Sequence, residues 1–226
     1  MDKDKKKDIG YVIAKAGLGS IPIVGAAASE LLQLIVTPPL EKRRSEWMEQ
    51  IGQKLKDLEE KETVDLQSLQ ENEIFIDVVL QCTQEVIKTS EKEKIEYFQN
   101  AILNTANGDN PELAEIQIFL NFISDFTVWH IKILKLFDEP NDWFDKNNKT
   151  VPNFMAAGLS SILDIAYPEL KGRREFYDLI WDDLQRAGMH KTSGLHTTMT
   201  GSGLMVSRTT EFGKKFLNFI TENPIN

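Results

Sequence analysis

The spacing of apolar residues predicts helices over most of the first 150 residues. Between residues 40 and 140, apolar side chains recur every three or four positions with charged residues between them, which is the period of an amphipathic helix. Proline and capping residues predict the boundaries: helices begin at Pro38 and after Ser90, another covers Leu69–Lys88, and a long one from about residue 110 ends at Pro140. No period-two alternation occurs before residue 150, so we predict an all-α bundle over residues 37–150.

The rest of the chain predicts a smaller module of a different kind. Helices over Phe154–Ile165 and Glu175–Ala187 precede Met189–Arg208, which is rich in Thr, Ser and Gly and predicts a β-hairpin. Gly188 is expected to end the second of these helices, and its spacing predicts that Phe176, Leu179, Ile180 and Leu184 face inward. A final helix begins near Thr209 or Thr210 and is predicted to bury Phe212, Phe216, Phe219 and Ile220. This is the element order of a winged helix. We therefore predict a mainly α fold, in which the helical bundle is followed by a winged-helix-like α+β module over residues 151–226.

The segment Ile9–Val36 is unusual because it carries no charge between Lys15 and Glu30 and is rich in glycine and alanine. With Pro22 as a helix breaker, residues 1–36 predict an apolar helical hairpin. Small residues four apart let helices approach closely, which is typical of membrane or self-association contacts; packing inside the bundle core is the alternative. The candidate contact residues are Gly10, Ala14, Gly17, Gly19, Ile21, Ile23, Gly25, Leu31 and Leu34.

The charge of the chain argues against general binding to nucleic acid. The sequence has 26 Lys+Arg and 35 Asp+Glu, a net charge of −9, and residues 151–226 are neutral overall. In a winged helix the helix before the wing enters the major groove, and phosphate contacts need Lys and Arg. A protein partner is therefore favoured over DNA at the candidate nucleic-acid or partner contacts, which are Arg173, Arg174, Arg186, Lys191 and Arg208.

No catalytic, metal or cofactor constellation is evident in the sequence. The single cysteine, Cys82, lies on the apolar stripe of its helix, where a buried thiol is expected. The three histidines, His130, His190 and His196, lack the convergent spacing of a zinc site. Neither a nucleophile elbow nor a phosphate-binding glycine loop is present, so we predict a protein that is not an enzyme and needs no cofactor.

Two strings near the C-terminus resemble a known family. The residues Leu184–Met189 (LQRAGM) and, after the predicted wing, Thr210–Leu217 (TEFGKKFL) resemble the tail of the Abi-alpha family of bacterial proteins, which is associated by name with abortive infection during phage attack. The resemblance covers about Glu175–Ile220 and is only architectural over the first 150 residues. It implies a helical protein with a small-residue apolar stretch near the N-terminus, and it implies no catalytic residues.

Together, these observations favour a non-enzymatic, cytoplasmic defence protein of the abortive-infection type. We expect it to act through a protein partner, through self-association, or through membrane contact of the N-terminal hairpin on activation. The alternative is a winged-helix regulator that binds DNA.

Overall fold

The structure is a computed structural model that describes residues 26–108 and 111–222; within residues 26–38 it describes only the helical backbone. The chain divides into two compact units, Met1–Gln50 and Ile51–Asn226. The first helix, α1, spans Ala26–Glu60. The helical backbone continues through Pro38, so the predicted helix start at that residue is wrong. Alanine and glutamate at residues 26–30 are good helix formers and account for the earlier start.

Shorter helices make up the middle of the chain, and side chains cap some of them. Asn72 caps one of them through its side chain, which accepts a hydrogen bond from the Phe75 amide at 3.1 Å. This cap sets the helix start at Glu73, a few residues after the predicted start at Leu69. These helices are α2 (Leu66–Leu69), α3 (Glu73–Lys88), α4 (Lys92–Ala106), α5 (Leu113–Asp125), α6 (Val128–Asp138) and α7 (Pro140–Lys146).

The long helix predicted to end at Pro140 is two helices, α5 and α6. The chain becomes extended at Phe126, and Thr127 takes the N-cap position of α6. The Thr127 amide donates a hydrogen bond to Nδ1 of His130 at 3.1 Å, so this backbone group is satisfied outside the helical ladder. Threonine followed three residues later by a polar side chain therefore accounts for a break that apolar spacing alone does not reveal.

Helices and a two-stranded sheet alternate in the C-terminal part. The elements are β1 (Ala156–Ala157), α8 (Leu159–Ala166), a 3₁₀ turn (Pro168–Leu170), α9 (Arg174–Arg186), β2 (Met199–Thr200), α10 (Gly201–Leu204) and α11 (Glu211–Phe219). The described part of the chain is thus mainly α-helical with a small antiparallel sheet, which confirms the predicted class. It does not establish a winged-helix module.

The β-hairpin predicted over Met189–Arg208 is wrong. Strand β2 pairs with β1, which precedes α8, and not with a neighbour inside that segment. The residues after β2 form the helical turn α10, and the segment closes through an isolated bridge between His190 and Thr209. Gly201 lies so close to the Phe154 carbonyl that a Cβ would overlap it, so glycine permits the approach of two segments far apart in sequence.

Aromatic packing joins α11 to α5. The Phe119 ring is fully buried, and its centroid lies 5.2 Å from that of Phe212, 5.5 Å from that of Phe216 and 5.7 Å from that of Phe219. Aromatic pairs at these separations add to the free energy gained by burying the rings. The predicted final helix is confirmed; Phe216, Phe219 and Ile220 are buried as expected, and Phe212 is half-buried.

The C-terminal end of α11 is capped by a side chain from α4. Nδ2 of the buried Asn104 lies 3.1 Å from the carbonyl oxygen of Asn218 and 2.9 Å from those of Phe219 and Thr221. The last carbonyls of a helix have no partner within the helix, so this amide satisfies acceptors that burial would otherwise leave unpaired.

We predict that Asn104→Ala lowers the free energy of unfolding by about 1–3 kcal/mol, the usual cost of leaving buried acceptors unsatisfied. Chemical denaturation followed by circular dichroism measures it. Asn218→Ala is the matched control, because its exposed side chain makes no hydrogen bond in the described structure. Equal stability of the two variants would contradict this role of Asn104.

Candidate partner-binding site

Helix α9 carries two of the five predicted contact residues, Arg174 and Arg186. Its buried stripe is Tyr177, Ile180, Trp181 and Leu184, a helical spacing that anchors one face in the core. Gly188, with φ of +76°, ends the helix in the left-handed conformation that glycine adopts without strain. The opposite face of α9 is left at the surface.

Two predicted contact residues on α9 are engaged within the helix itself. Nε of Arg174 donates a hydrogen bond to the Asp178 carboxylate at 3.2 Å, and Arg186 forms an ion pair with Asp183. Both pairs have the three- or four-residue spacing at which helical side chains meet. These arginines are therefore partly neutralised by their own helix.

The remaining predicted cations do not join them in one basic patch. Arg173 lies 4.0 Å from the centroid of the Phe176 ring, in a cation–π contact. Arg208 donates hydrogen bonds to the Gly203 carbonyl and, at 3.1 Å, to the sulfur of Met199, and only Lys191 has a solvent-exposed side chain without such a contact in the described structure. The five candidate residues thus serve separate local roles.

The outward face of α9 carries an exposed leucine with a carboxylate on either side. Leu179 is 57% exposed, although the spacing of apolar residues predicted it to face inward. Glu175 and Asp182, four residues before and three after it, occupy the adjacent positions on the same face and are exposed. This combination, which we call the Leu179 face (Glu175, Leu179 and Asp182), is an apolar side chain between two carboxylates.

All three histidines contact α9, a convergence that the sequence did not reveal. The buried His190 ring stacks on the Trp181 ring, with the two ring centroids 3.6 Å apart. Its Nε2 donates a hydrogen bond to the Trp181 carbonyl at 2.9 Å. Its Nδ1 accepts from the Thr192 amide at 3.3 Å, and the Trp181 indole donates to the Thr192 carbonyl at 3.1 Å. This closed set of hydrogen bonds requires a neutral imidazole, and burial lowers the pKa of His190.

His130 contacts α9 at Asp183, two residues after Trp181. Its ring stacks on Phe126, its Nδ1 accepts from the Thr127 amide, and its Nε2 lies 3.5 Å from the Asp183 carboxylate. Burial lowers the pKa of His130, and the hydrogen bond to Asp183 opposes this shift. His196 binds the Asp178 carboxylate at 2.8 Å, so Asp178 and Asp183 each hold one arginine and one histidine.

A groove of about 350 Å³ lies elsewhere, at the ends of α6 and α11 and along α7. Oδ1 of Asp138 is buried without a hydrogen-bond partner in the described structure, and burial raises the pKa of this carboxyl. The lining combines acidic, basic and apolar side chains: Lys135, Asp138, Glu139, Asp142, Trp143, Lys146, Leu217, Asn218 and Thr221.

Other candidate chemistry is accounted for by packing. Cys82 is fully buried, as predicted, and burial raises the pKa of its thiol, which keeps it protonated. Among the residues described with side chains, no group of three or more His, Cys, Asp or Glu is placed to hold a metal ion.

The N-terminal candidates fall largely outside the described residues. Leu31 and Leu34 lie on α1, where only the backbone is described. Across the described helices, none is both long and apolar enough to cross a membrane. The candidates outside the described residues are Gly10, Ala14, Gly17, Gly19, Ile21, Ile23 and Gly25.

The threonine–glycine string before α11 has a structural role. The Thr210 hydroxyl accepts from the Gly213 amide at 3.0 Å and so caps the helix. A Cβ on Gly213 would lie 2.6 Å from the Met189 carbonyl oxygen and 2.6 Å from a methyl group of Thr209. The string therefore fixes how α11 meets the end of α9, and it does not form a site.

We predict that the protein loses stability as the pH falls below about 6.5. His130 and His190 have lowered pKa values in the folded chain, so the unfolded chain binds protons first, and stability is full only above the unfolded value. Thermal unfolding across this pH range measures how steeply the stability of the folded chain changes with pH. His130→Gln/His190→Gln is expected to flatten this pH dependence. A pH dependence of stability that is unchanged in the double variant would contradict the lowered pKa values of His130 and His190.

Comparison with known proteins finds no matching family model, no matching curated protein and no matching solved structure.

Proposed function

We propose that the protein is a non-enzymatic binding protein of the bacterial defence type, and that it captures a protein partner through the Leu179 face. The observation that carries this proposal is the exposed leucine between two carboxylates. Burial of one leucine side chain contributes about 1.5–3 kcal/mol, enough to anchor a contact. Carboxylates on either side favour a partner that presents an apolar pocket bordered by Lys or Arg.

The charge of α9 favours a protein over DNA as the ligand. The helix carries Arg174 and Arg186 against Glu175, Asp178, Asp182 and Asp183, a net charge of −2. Glu175 and Asp182 lie at its surface, where they would repel phosphates. In this proposal the C-terminal part, predicted as a winged-helix-like module, is used for protein contacts.

The defence role rests on the resemblance to the Abi-alpha tail. In this proposal the C-terminal module senses a partner that appears during infection, and residues 1–36 supply the response by self-association or by membrane contact. The support for that second part is the composition of Ile9–Val36, which is rich in glycine and carries no charge between Lys15 and Glu30.

We predict that expression of the full chain in a bacterial host lowers the plaque count of at least one phage in a panel, and that Leu179→Glu abolishes this protection. The substitution places a third carboxylate at the centre of the Leu179 face and removes its apolar anchor. Leu80→Glu, on α3, is the matched control because Leu80 is 56% exposed against 57% for Leu179. It should retain protection at an equal level of expressed protein.

Two results would contradict the proposal. Protection that survives Leu179→Glu excludes the Leu179 face as the contact. A full chain that changes the plaque count of no phage in its native host excludes the defence role itself.

A further inference from the structure

Two segments of the C-terminal part contain no charged residue. Thr150–Leu163 and Thr192–Ser207 lack Asp, Glu, Lys and Arg altogether, in a chain that is 27% charged. Both segments lie within the described residues. We call them together the uncharged lobe.

The two segments form one folded unit through backbone contacts. Besides the β1–β2 pairing, the Gly201 amide donates to the Met155 carbonyl at 3.1 Å, and the Ser160 amide donates to the Leu195 carbonyl at 2.9 Å. At the end of the second segment the Arg208 amide donates to the Phe137 carbonyl at 2.8 Å, which attaches the lobe to α6. The lobe therefore presents a defined surface.

That surface shares two features with protein interface cores, an exposed methionine and the lack of charged side chains. Met155 is 96% exposed and Val206 is 56% exposed, so two large apolar side chains stand in water. The exposed residues around them are small or hydroxyl-bearing, such as Ala156, Thr200 and Ser202. Interface cores are likewise enriched in methionine and depleted of Lys, Glu and Asp.

We propose that the uncharged lobe binds the uncharged lobe of a second copy of this chain. Residues 51–150 contain 10 Lys and 20 Asp or Glu, so two copies repel each other wherever those residues face each other. The lobe is a surface on which two identical acidic chains can meet without opposing like charges. A two-fold contact, in which the same patch serves on both copies, satisfies this condition with one surface.

Cations at the borders of the lobe argue against an anionic occupant. Lys149 donates its ammonium hydrogen bond to the Ala166 carbonyl at 2.6 Å, and Arg208 is bound to the Gly203 carbonyl. Anionic lipid surfaces and acidic partners are attracted by clusters of available Lys and Arg. Lys149 and Arg208 are committed to backbone carbonyls, and Lys191, exposed just before the second segment, is a single lysine and not a cluster. An uncharged copy of the same lobe is therefore the better fit. This inference is independent of the Leu179 face.

The test is the mass of the full chain in solution, measured by sedimentation equilibrium over a concentration series. We expect the mass to rise from 25.8 kDa toward twice that value, and to do so at least as readily in high salt, because salt screens the repulsion between acidic chains. Met155→Asp/Val206→Asp should hold the mass at 25.8 kDa at every concentration. Leu80→Asp/Leu113→Asp, which charges two exposed leucines outside the lobe, should still associate.

Three results would overturn the inference: a wild-type chain that stays monomeric, a lobe double variant that associates as the wild type does, or association that salt abolishes. Far-ultraviolet circular dichroism verifies that both double variants are folded, which is expected since all four side chains are exposed.

Discussion

Two carboxylates on one helix, Asp178 and Asp183, set the surface chemistry of the C-terminal part. Each binds an arginine of α9 and a histidine from another segment, so together they engage Arg174, Arg186, His196 and His130. Both arginines pair with these carboxylates along the helix, while the Arg174 and Arg186 side chains stay 67% and 70% exposed. The same surface carries Leu179 with a carboxylate on either side, which favours a protein ligand over phosphate.

The residues that carry the family resemblance act on the same helix indirectly. Thr210 caps α11, and Gly213 lets α11 approach the Met189 carbonyl at the end of α9. The Phe119 cluster and the Asn104 amide then fix α11 against α5 and α4. A motif of this kind reports a packing geometry, which explains why it predicts architecture and carries no reactive group.

Helices were predictable where one face is buried and local signals mark the ends. Gly188 and Thr210 are such signals, and the structure uses both. The break at Thr127 was not predictable from apolar spacing, because that spacing continues on both sides of it. The strand partner of Met199–Thr200 was missed because it lies more than 40 residues earlier in the chain, and its pairing depends on close approach at Gly201.

The candidate site was only partly visible in the sequence. The charge balance of α9 indicated a helix poor in phosphate contacts, but the outward position of Leu179 follows from the choice of Tyr177 and Trp181 for the buried stripe. The apolar pattern of this helix fits two buried faces that share Ile180 and Leu184: the predicted face adds Phe176 and Leu179, and the observed face adds Tyr177 and Trp181. The convergence of three histidines on α9 is a property of tertiary packing alone, since His130 lies 53 residues from Asp183 in the chain.

Fluorescence anisotropy of the full chain with a labelled random DNA duplex at low salt tests the central claim most directly, because even non-specific binding is strong under those conditions. The account predicts no rise in anisotropy as the protein is added. A saturable rise that salt reverses and that Arg173→Ala/Arg174→Ala removes would contradict it, and would place α9 on DNA.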